Sequence, residues 1–73
     1  MEKSDIKPGR IYQASSRSFP RKVLEIFDGP SFKRRGMRMM VRYCHVFPGG
    51  AEGLVYVALL SDFAKWAREE WKP

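Results

Sequence analysis

Residues 37–59 read MRMMVRYCHVFPGGAEGLVYVAL, two apolar segments joined by a glycine-rich turn at 48–53. In the first segment, apolar side chains at odd positions alternate with arginines at even positions, which is the period-two pattern of a half-buried strand. The odd residues are Met37, Met39, Val41 and Tyr43, and the arginines are Arg38 and Arg42. The second segment, residues 54–59, is almost continuously apolar, and this pattern favours a strand in the centre of a sheet.

Two further strands are predicted on the N-terminal side of this hairpin. Lys7-Pro8-Gly9 is a turn signal, because proline presets φ and glycine tolerates positive φ, and a first strand follows at residues 10–14. Residues 21–27 have the β-branched and aromatic content of a second strand, which we expect to end at Asp28-Gly29-Pro30. The segment before Lys7 is expected to be loose.

An amphipathic helix is predicted at residues 61–72. Ser61 or Asp62 can cap its first turn, and no glycine or proline interrupts the chain from there to Trp71. Apolar residues recur at helical spacing, at Leu60, Phe63, Ala64, Ala67 and Trp71. Trp66 lies on the flank of this stripe, so the helix is expected to pack against the sheet through the stripe itself.

These elements predict a mainly β fold with one C-terminal helix, in a single domain of residues 1–73. The strands occupy about residues 7–60, as an antiparallel sheet of four to five strands that is either a closed small barrel or half open and capped by the helix. The chain has 73 residues, of which 44% are hydrophobic, and this suffices for one core without a metal or a disulfide.

The strand segments resemble the SH3-like small barrel, the fold of Tudor, KOW and many small bacterial and phage domains. The resemblance spans about residues 7–63, and it is carried by residues 7–12, 21–26, 41–43 and 55–63. A strand that runs into a Phe-Ala-x-Trp helix is also similar to small proteins of bacteriophages and mobile elements. The helix departs from the usual barrel, because it replaces or follows the expected short last strand.

The residues needed for catalysis or metal binding are scarce. Cys44 and His45 are the only cysteine and the only histidine, and as neighbours on a strand their side chains diverge. Two such residues are fewer than the three or four ligands of a zinc site. The Val-Gln-Ile-Tyr motif of type II dihydrofolate reductases, SH3-like barrels of similar size, is absent. We therefore predict no enzyme activity, no metal and no cofactor.

The number of cysteines and the lengths of the apolar segments predict the cellular location. A single cysteine allows no intramolecular disulfide and suits a reducing compartment. The N-terminal residues contain no apolar signal region, and no apolar segment approaches the roughly 18 residues that span a bilayer. The sequence predicts a cytoplasmic protein that does not insert into membranes.

Basic residues are the main functional signal. The net charge is +6, and residues 1–50 contain eleven basic and four acidic side chains. The predicted site comprises Lys33, Arg34, Arg35, Arg38, Arg42, Arg21 and Lys22. In a meander these groups are expected to converge on one side, where arginine and lysine can neutralise the phosphates of DNA or RNA. The first hypothesis is therefore a nucleic-acid-binding module.

Two other readings account for the same residues. In one, a phage or mobile-element protein binds a host protein, either through the basic face against an acidic surface or through Trp66 as an anchor on the helix flank. In the other, the charge serves solubility, and Glu25 and Asp28 pair with part of it. The methionines are expected to belong to the core, because Met37 and Met39 share the apolar face of their strand.

Overall fold

The computed structural model of the protein describes residues 1–15, 17–30 and 37–72. Its strands are β1 (Ile11–Gln13), β2 (Arg21–Pro30), β3 (Met37–Val46), β4 (Glu52–Leu59) and β5 (Glu69–Glu70). One α-helix, α1 (Leu60–Trp66), and two short 3-10 segments, Lys3–Asp5 and Pro48–Gly50, complete the described elements. The predicted basic loop at residues 31–36 lies outside the described residues.

The five strands form one antiparallel sheet in the order β4-β3-β2-β1-β5. β4 and β5 are therefore the two edges of the sheet, which does not close into a barrel. The predicted mainly β fold with one helix is confirmed, in its half-open form. β4 was expected at the centre, and its position at an edge is a correction to which the site analysis returns.

The hairpin of β2 and β3 is longer than predicted. Asp28-Gly29-Pro30 was expected to end the second strand, but these residues continue β2 and pair with residues 37–39 of β3. Space at Gly29 is limited, because a Cβ atom at this position would lie 3.0 Å from Phe27 Cε2 and 3.1 Å from Met40 Cγ, so both side chains would have to shift. A glycine that looks like a turn residue here allows close packing inside a strand pair.

The two predicted turns that flank the other strands are confirmed. Gly9 has a φ of 84°, and its N–H donates to the carbonyl of Val23 at 2.8 Å. In the connection from β3 to β4, Gly49 and Gly50 have φ angles of 86° and 85°. Both turns therefore need a backbone conformation that glycine adopts without steric cost.

The helix is shorter than predicted. α1 begins at Leu60 after an N-cap at Leu59, with no side-chain capping hydrogen bond, and it ends at Trp66. The expected caps, Ser61 and Asp62, lie inside it. The chain then returns to the sheet, where Trp71 N donates to Ile11 O at 2.8 Å. This pairing satisfies the backbone of β1, so the short last strand follows the helix instead of being replaced by it.

The core lies between the sheet and α1. Leu60, Phe63, Ala64 and Ala67 of the predicted helical stripe are buried, as expected, whereas Trp71 lies beyond the helix. They pack against Tyr12, Val23, Val41 and Tyr43 of the sheet. Apolar periodicity therefore identified the buried face of α1 correctly and its C-terminal end incorrectly.

The N-terminal segment is tied to the core, which corrects the expectation that it is loose. Ile6 is 2% exposed and belongs to the core cluster. The Tyr12 hydroxyl donates to Asp5 O at 2.7 Å and accepts from Lys7 N at 2.8 Å. The Met1 amino group donates to the carbonyls of Ala64 and Ala67, both at 3.0 Å, at the end of α1.

Met39 does not belong to the core, although the strand pattern placed it there. Its side chain is 43% exposed, while Met40 on the opposite parity is 9% exposed. Met39 pairs with Asp28 toward the end of the hairpin, outside the cluster that α1 covers. The alternation therefore predicts burial only where another element packs on the strand.

Candidate functional site

The strand register separates the described members of the predicted basic site. Arg21 and Lys22 begin β2, whereas Arg38 pairs with Gly29 near the other end of the hairpin. The interval from Lys22 to Gly29 spans roughly 23 Å at the usual rise of a strand. Arg21 and Lys22 therefore do not converge with Arg38 on one patch, and Lys33, Arg34 and Arg35 lie outside the described residues.

Two of these basic groups form ion pairs within the chain. Arg42 Nη1 lies 2.6 Å from Glu25 Oε2, as the solubility reading anticipated for Glu25, and the guanidinium lies 5.2 Å from the centre of the Phe27 ring. Lys22 Nζ lies 3.6 Å from Glu52 Oε1. Exposed pairs of this kind contribute about 0.2–1 kcal/mol each. A phosphate ligand would have to compete with these carboxylates.

Arg21 is packed between aromatic rings. Its guanidinium carbon lies 4.0 Å from the centre of the Trp66 ring and 4.8 Å from that of Tyr43, which are cation–π distances. Its Nε atom is buried and has no hydrogen-bond partner among the residues that the structure describes. Trp66 also contacts Phe63 at 5.4 Å between ring centres and is partly buried against the core. The predicted anchor Trp66 is therefore covered in part by Arg21.

A run of exposed apolar residues lies instead on β4. Four consecutive side chains are exposed, Leu54 by 77%, Val55 by 54%, Tyr56 by 43% and Val57 by 52%. β4 pairs with β3 on one side and has no partner strand on the other within the described part of the chain. An edge of this kind presents unpaired backbone N–H and C=O groups to an incoming strand.

The opposite edge of the sheet is built differently. β5 has only two residues, Glu69 and Glu70, and both carry charge. Glu69 accepts a hydrogen bond from Gln13 at 2.7 Å, and Glu70 lies 3.5 Å from Arg10 Nη1. Short length and charge are the usual protection of a sheet edge against association. β4 has neither along Leu54–Val57, so this strand is the candidate interaction site.

The sequence reading noticed the apolar run of β4 but interpreted it as a central strand. In a meander, the last strand stays at an edge unless a later strand pairs with it. The residues that follow form α1, which packs on the inner face, and β5, which pairs with β1. Tracing where each later element goes would have indicated the edge position from the sequence.

A groove lies around the turn between β3 and β4. Phe19 and Phe47 meet edge to face with ring centres 5.0 Å apart, and Trp71 lines the same groove of about 350 Å³. Phe47 lies close to β4, since a Cβ atom at Gly53 would be 2.7 Å from its ring. This groove is mostly apolar and open.

Cys44 and His45 lie in different surroundings. Cys44 is 1% exposed, and its thiol donates to Glu52 Oε1 at 3.5 Å. Burial, together with the hydrogen bond and the negative charge of Glu52, raises the pKa of this thiol above its ordinary value, while Lys22 opposes the shift. His45 contacts the Tyr56 ring, with centres 5.3 Å apart. Within residues 1–15, 17–30 and 37–72, no three His, Cys, Asp or Glu side chains could hold a metal ion.

This environment predicts slow alkylation of Cys44. Because the thiolate is the reactive form, a raised pKa lowers the rate of reaction with iodoacetamide at pH 8. In Glu52→Gln, the carboxylate that raises the pKa is lost, so the pH midpoint of the rate should fall and the rate at pH 8 should rise severalfold. Glu69→Gln, which removes the same charge at a distant edge, should leave the midpoint unchanged. A midpoint that is equal or higher in Glu52→Gln would contradict the assignment.

No helix in the part of the chain that the structure describes is long and apolar enough to cross a membrane. In comparisons with family models, with curated proteins and with solved structures, we find no match to this chain.

Proposed function

We propose that this chain is a small non-catalytic binding module whose ligand is another polypeptide, held as an extended strand along the free edge of β4. The observation that supports the proposal is the run Leu54–Val57, four exposed apolar residues on an edge that no other described strand pairs with. Strand addition to a sheet edge is a general mode of peptide recognition. Backbone hydrogen bonds supply affinity, and alternate side chains supply specificity.

The edge is held in place before a ligand arrives. Tyr56 pairs with Tyr43 in the ladder, and their rings stack with centres 5.8 Å apart. His45 contacts the same Tyr56 ring. A strand that is already ordered loses little conformational entropy on binding, so more of the interaction energy is available for affinity.

A nucleic-acid role is the second candidate, and the net charge of +6 favours it. Among the described basic residues, however, Arg42 and Lys22 pair with carboxylates and Arg21 packs against rings. Support for this role would be binding of short DNA or RNA that weakens with salt and falls in the variant Arg34→Ala with Arg35→Ala. The polypeptide reading comes first because the described residues of β4 already form a surface.

The setting of this function belongs to the same proposal. Cys44 is a free and buried thiol, which suits a reducing cytoplasm. The strand-to-helix pattern is similar to that of small phage and mobile-element proteins. In such a protein, the bound polypeptide would belong to the host cell or to the phage or mobile element itself.

Site-specific photo-cross-linking tests the proposal. With p-benzoylphenylalanine in place of Val57, irradiation of cells should give a discrete protein adduct, because this side chain lies on the open edge. The matched control places the same group at Glu69 on the protected edge, where no discrete adduct is expected. The cross-linked polypeptide, once identified and purified, should bind the wild-type chain and fail to bind the variant Val55→Lys with Val57→Lys.

The possible products separate the readings. A protein adduct at position 57 whose purified component binds through β4 supports the proposal. Equal cross-linking at positions 57 and 69 would indicate nonspecific contact and contradict it. Absence of a protein adduct, together with salt-dependent binding of DNA or RNA, would contradict the proposal and favour nucleic-acid binding by the basic residues.

A further inference from the structure

We infer that the strand accepted by β4 is β4 of a second copy of this chain, so that two chains form a two-fold symmetric dimer with one continuous sheet. This inference rests on the proposed function and names the partner. It follows from three features of the sheet: β4 can pair with a second β4 in an apolar register, residues 54–59 of β4 carry no charge, and the opposite edge is protected.

The sequence of β4 is complementary to itself in antiparallel pairing. With the two-fold axis at Tyr56, Val55 lies opposite Val57 of the partner subunit, and Leu54 lies opposite Ala58 of the partner subunit. Odd-numbered residues of β4 lie on one face of the strand and even-numbered residues on the other. In this register odd residues pair with odd ones and even residues with even ones, so each face of the joined sheet continues from one subunit to the next. Every pair from Leu54 to Ala58 is then apolar, which is the arrangement that stabilises cross-strand neighbours.

The charge distribution allows two basic chains to meet here. Each chain has a net charge of +6, but β4 carries no basic residue and only one acidic residue, Glu52, at its first position. In the register centred on Tyr56, the two Glu52 positions lie at opposite ends of the paired strands, roughly 26 Å apart along them. Arg42, which pairs with Val57 in the ladder, is neutralised by Glu25 at 2.6 Å. No like charges therefore face each other across the pair.

The same facts disfavour an acidic foreign peptide as the occupant. Such a peptide would need exposed cations beside the strand, and among the residues that pair with β4 the one cation, Arg42, already has its carboxylate. The other edge also limits assembly to two copies. β5 is short and acidic, so pairing through β4 leaves no second open edge for further growth.

Sedimentation velocity with charged variants tests the dimer. The wild-type chain should shift from monomer to dimer between about 1 and 200 µM, a range suited to micromolar affinity. Val55→Lys with Val57→Lys should weaken the dimer tenfold or more, because four lysines would meet at the interface. Val55→Glu with Val57→Glu should do the same. Mixing the two variants should restore a dimer, since each lysine then faces a glutamate.

The restored heterodimer separates a lost interface from a lost fold, because unfolded variants would not recombine. The matched control is Leu24→Lys with Met39→Lys, which adds the same charge at two exposed positions outside β4. This control should dimerise as the wild type does. A dimer that persists in the Val55→Lys, Val57→Lys variant would place the interface elsewhere and overturn the inference.

The remaining outcomes distinguish this inference from the proposed function. A wild-type chain that stays monomeric up to 200 µM overturns the dimer, and a cross-link from position 57 to a different protein would then leave the proposed function intact. A monomeric chain with no protein cross-link at that position overturns both. A mixture of the charged variants that stays monomeric, beside a dimeric wild type, would overturn pairing of β4 with itself.

Discussion

Replacement of Phe63 with alanine is expected to remove most of the protein's free energy of unfolding at room temperature. Phe63 is 1% exposed, and its ring lies 5.9 Å from the ring of Tyr12 and 5.4 Å from those of Tyr43 and Trp66. Removing a buried phenylalanine side chain costs about 3–5 kcal/mol, through lost transfer free energy and the cavity that remains. A domain of this size has a free energy of unfolding near the low end of about 5–15 kcal/mol.

Circular dichroism during urea titration provides the measurement for Phe63→Ala. The matched control is Phe19→Ala, which removes the same atoms from a side chain that is 51% exposed and should cost about 1 kcal/mol or less. Similar unfolding midpoints for the two variants would contradict the central place of Phe63. Phe63→Leu should fall between the two, because it retains part of the buried volume.

Phe63 also shows which parts of the fold are readable from local sequence. The spacing of Leu60, Phe63 and Ala64 predicts one buried helical face, and the structure buries all three. Periodicity of this kind reports burial, which is a local consequence of which side chains are apolar. The turn at Pro48–Gly50 is readable for a similar reason, since glycine there adopts positive φ.

The end of the helix was not readable in this way. Residues 67–71 contain no helix breaker, and Trp71 continues the apolar spacing. The helix nevertheless ends at Trp66, because Arg68 N and Trp71 N donate to the carbonyls of Gln13 and Ile11. These hydrogen bonds come from a strand more than 50 positions away in sequence, and local propensity does not contain that information.

The expected convergence of the basic residues failed for a related reason. The sequence reading expected the basic residues of two strands paired in a meander to converge on one side, but the register of β2 with β3 places Lys22 and Arg38 near opposite ends of one hairpin. An apolar strand pattern likewise reports that side chains avoid water, without stating which element covers them. For Val55 and Val57 no described element does, and pairing with a second copy would cover this strand edge.

The edge of β4 stays open because of the path that the chain takes after it. Leu59 is the last residue of β4 and also the N-cap of α1, so the chain leaves the strand without a loop. The helix then packs its apolar face on the inner side of the sheet, where Phe63 and Ala64 join the core. A connection this short directs α1 toward the core, so that no described element pairs with the outer edge of β4.

Tyr12→Phe is expected to lower the free energy of unfolding by about 1–2 kcal/mol, although it removes one oxygen atom. The hydroxyl donates to Asp5 O at 2.7 Å and accepts from Lys7 N at 2.8 Å, and the residue is 1% exposed. Both backbone groups would lose their partner in a partly buried position. The effect should be local as well, because these two bonds tie the N-terminal segment to β1.

Urea titration and amide hydrogen exchange together test Tyr12→Phe. The Lys7 amide should exchange faster in the variant than in the wild type by more than the global change in stability predicts. Tyr56→Phe is the matched control. That side chain is 43% exposed, so loss of its hydroxyl should lower the free energy of unfolding by less than about 0.5 kcal/mol. If the Lys7 amide kept its protection in Tyr12→Phe, burial of Ile6 would be sufficient to hold the segment, and the hydroxyl would be replaceable by water.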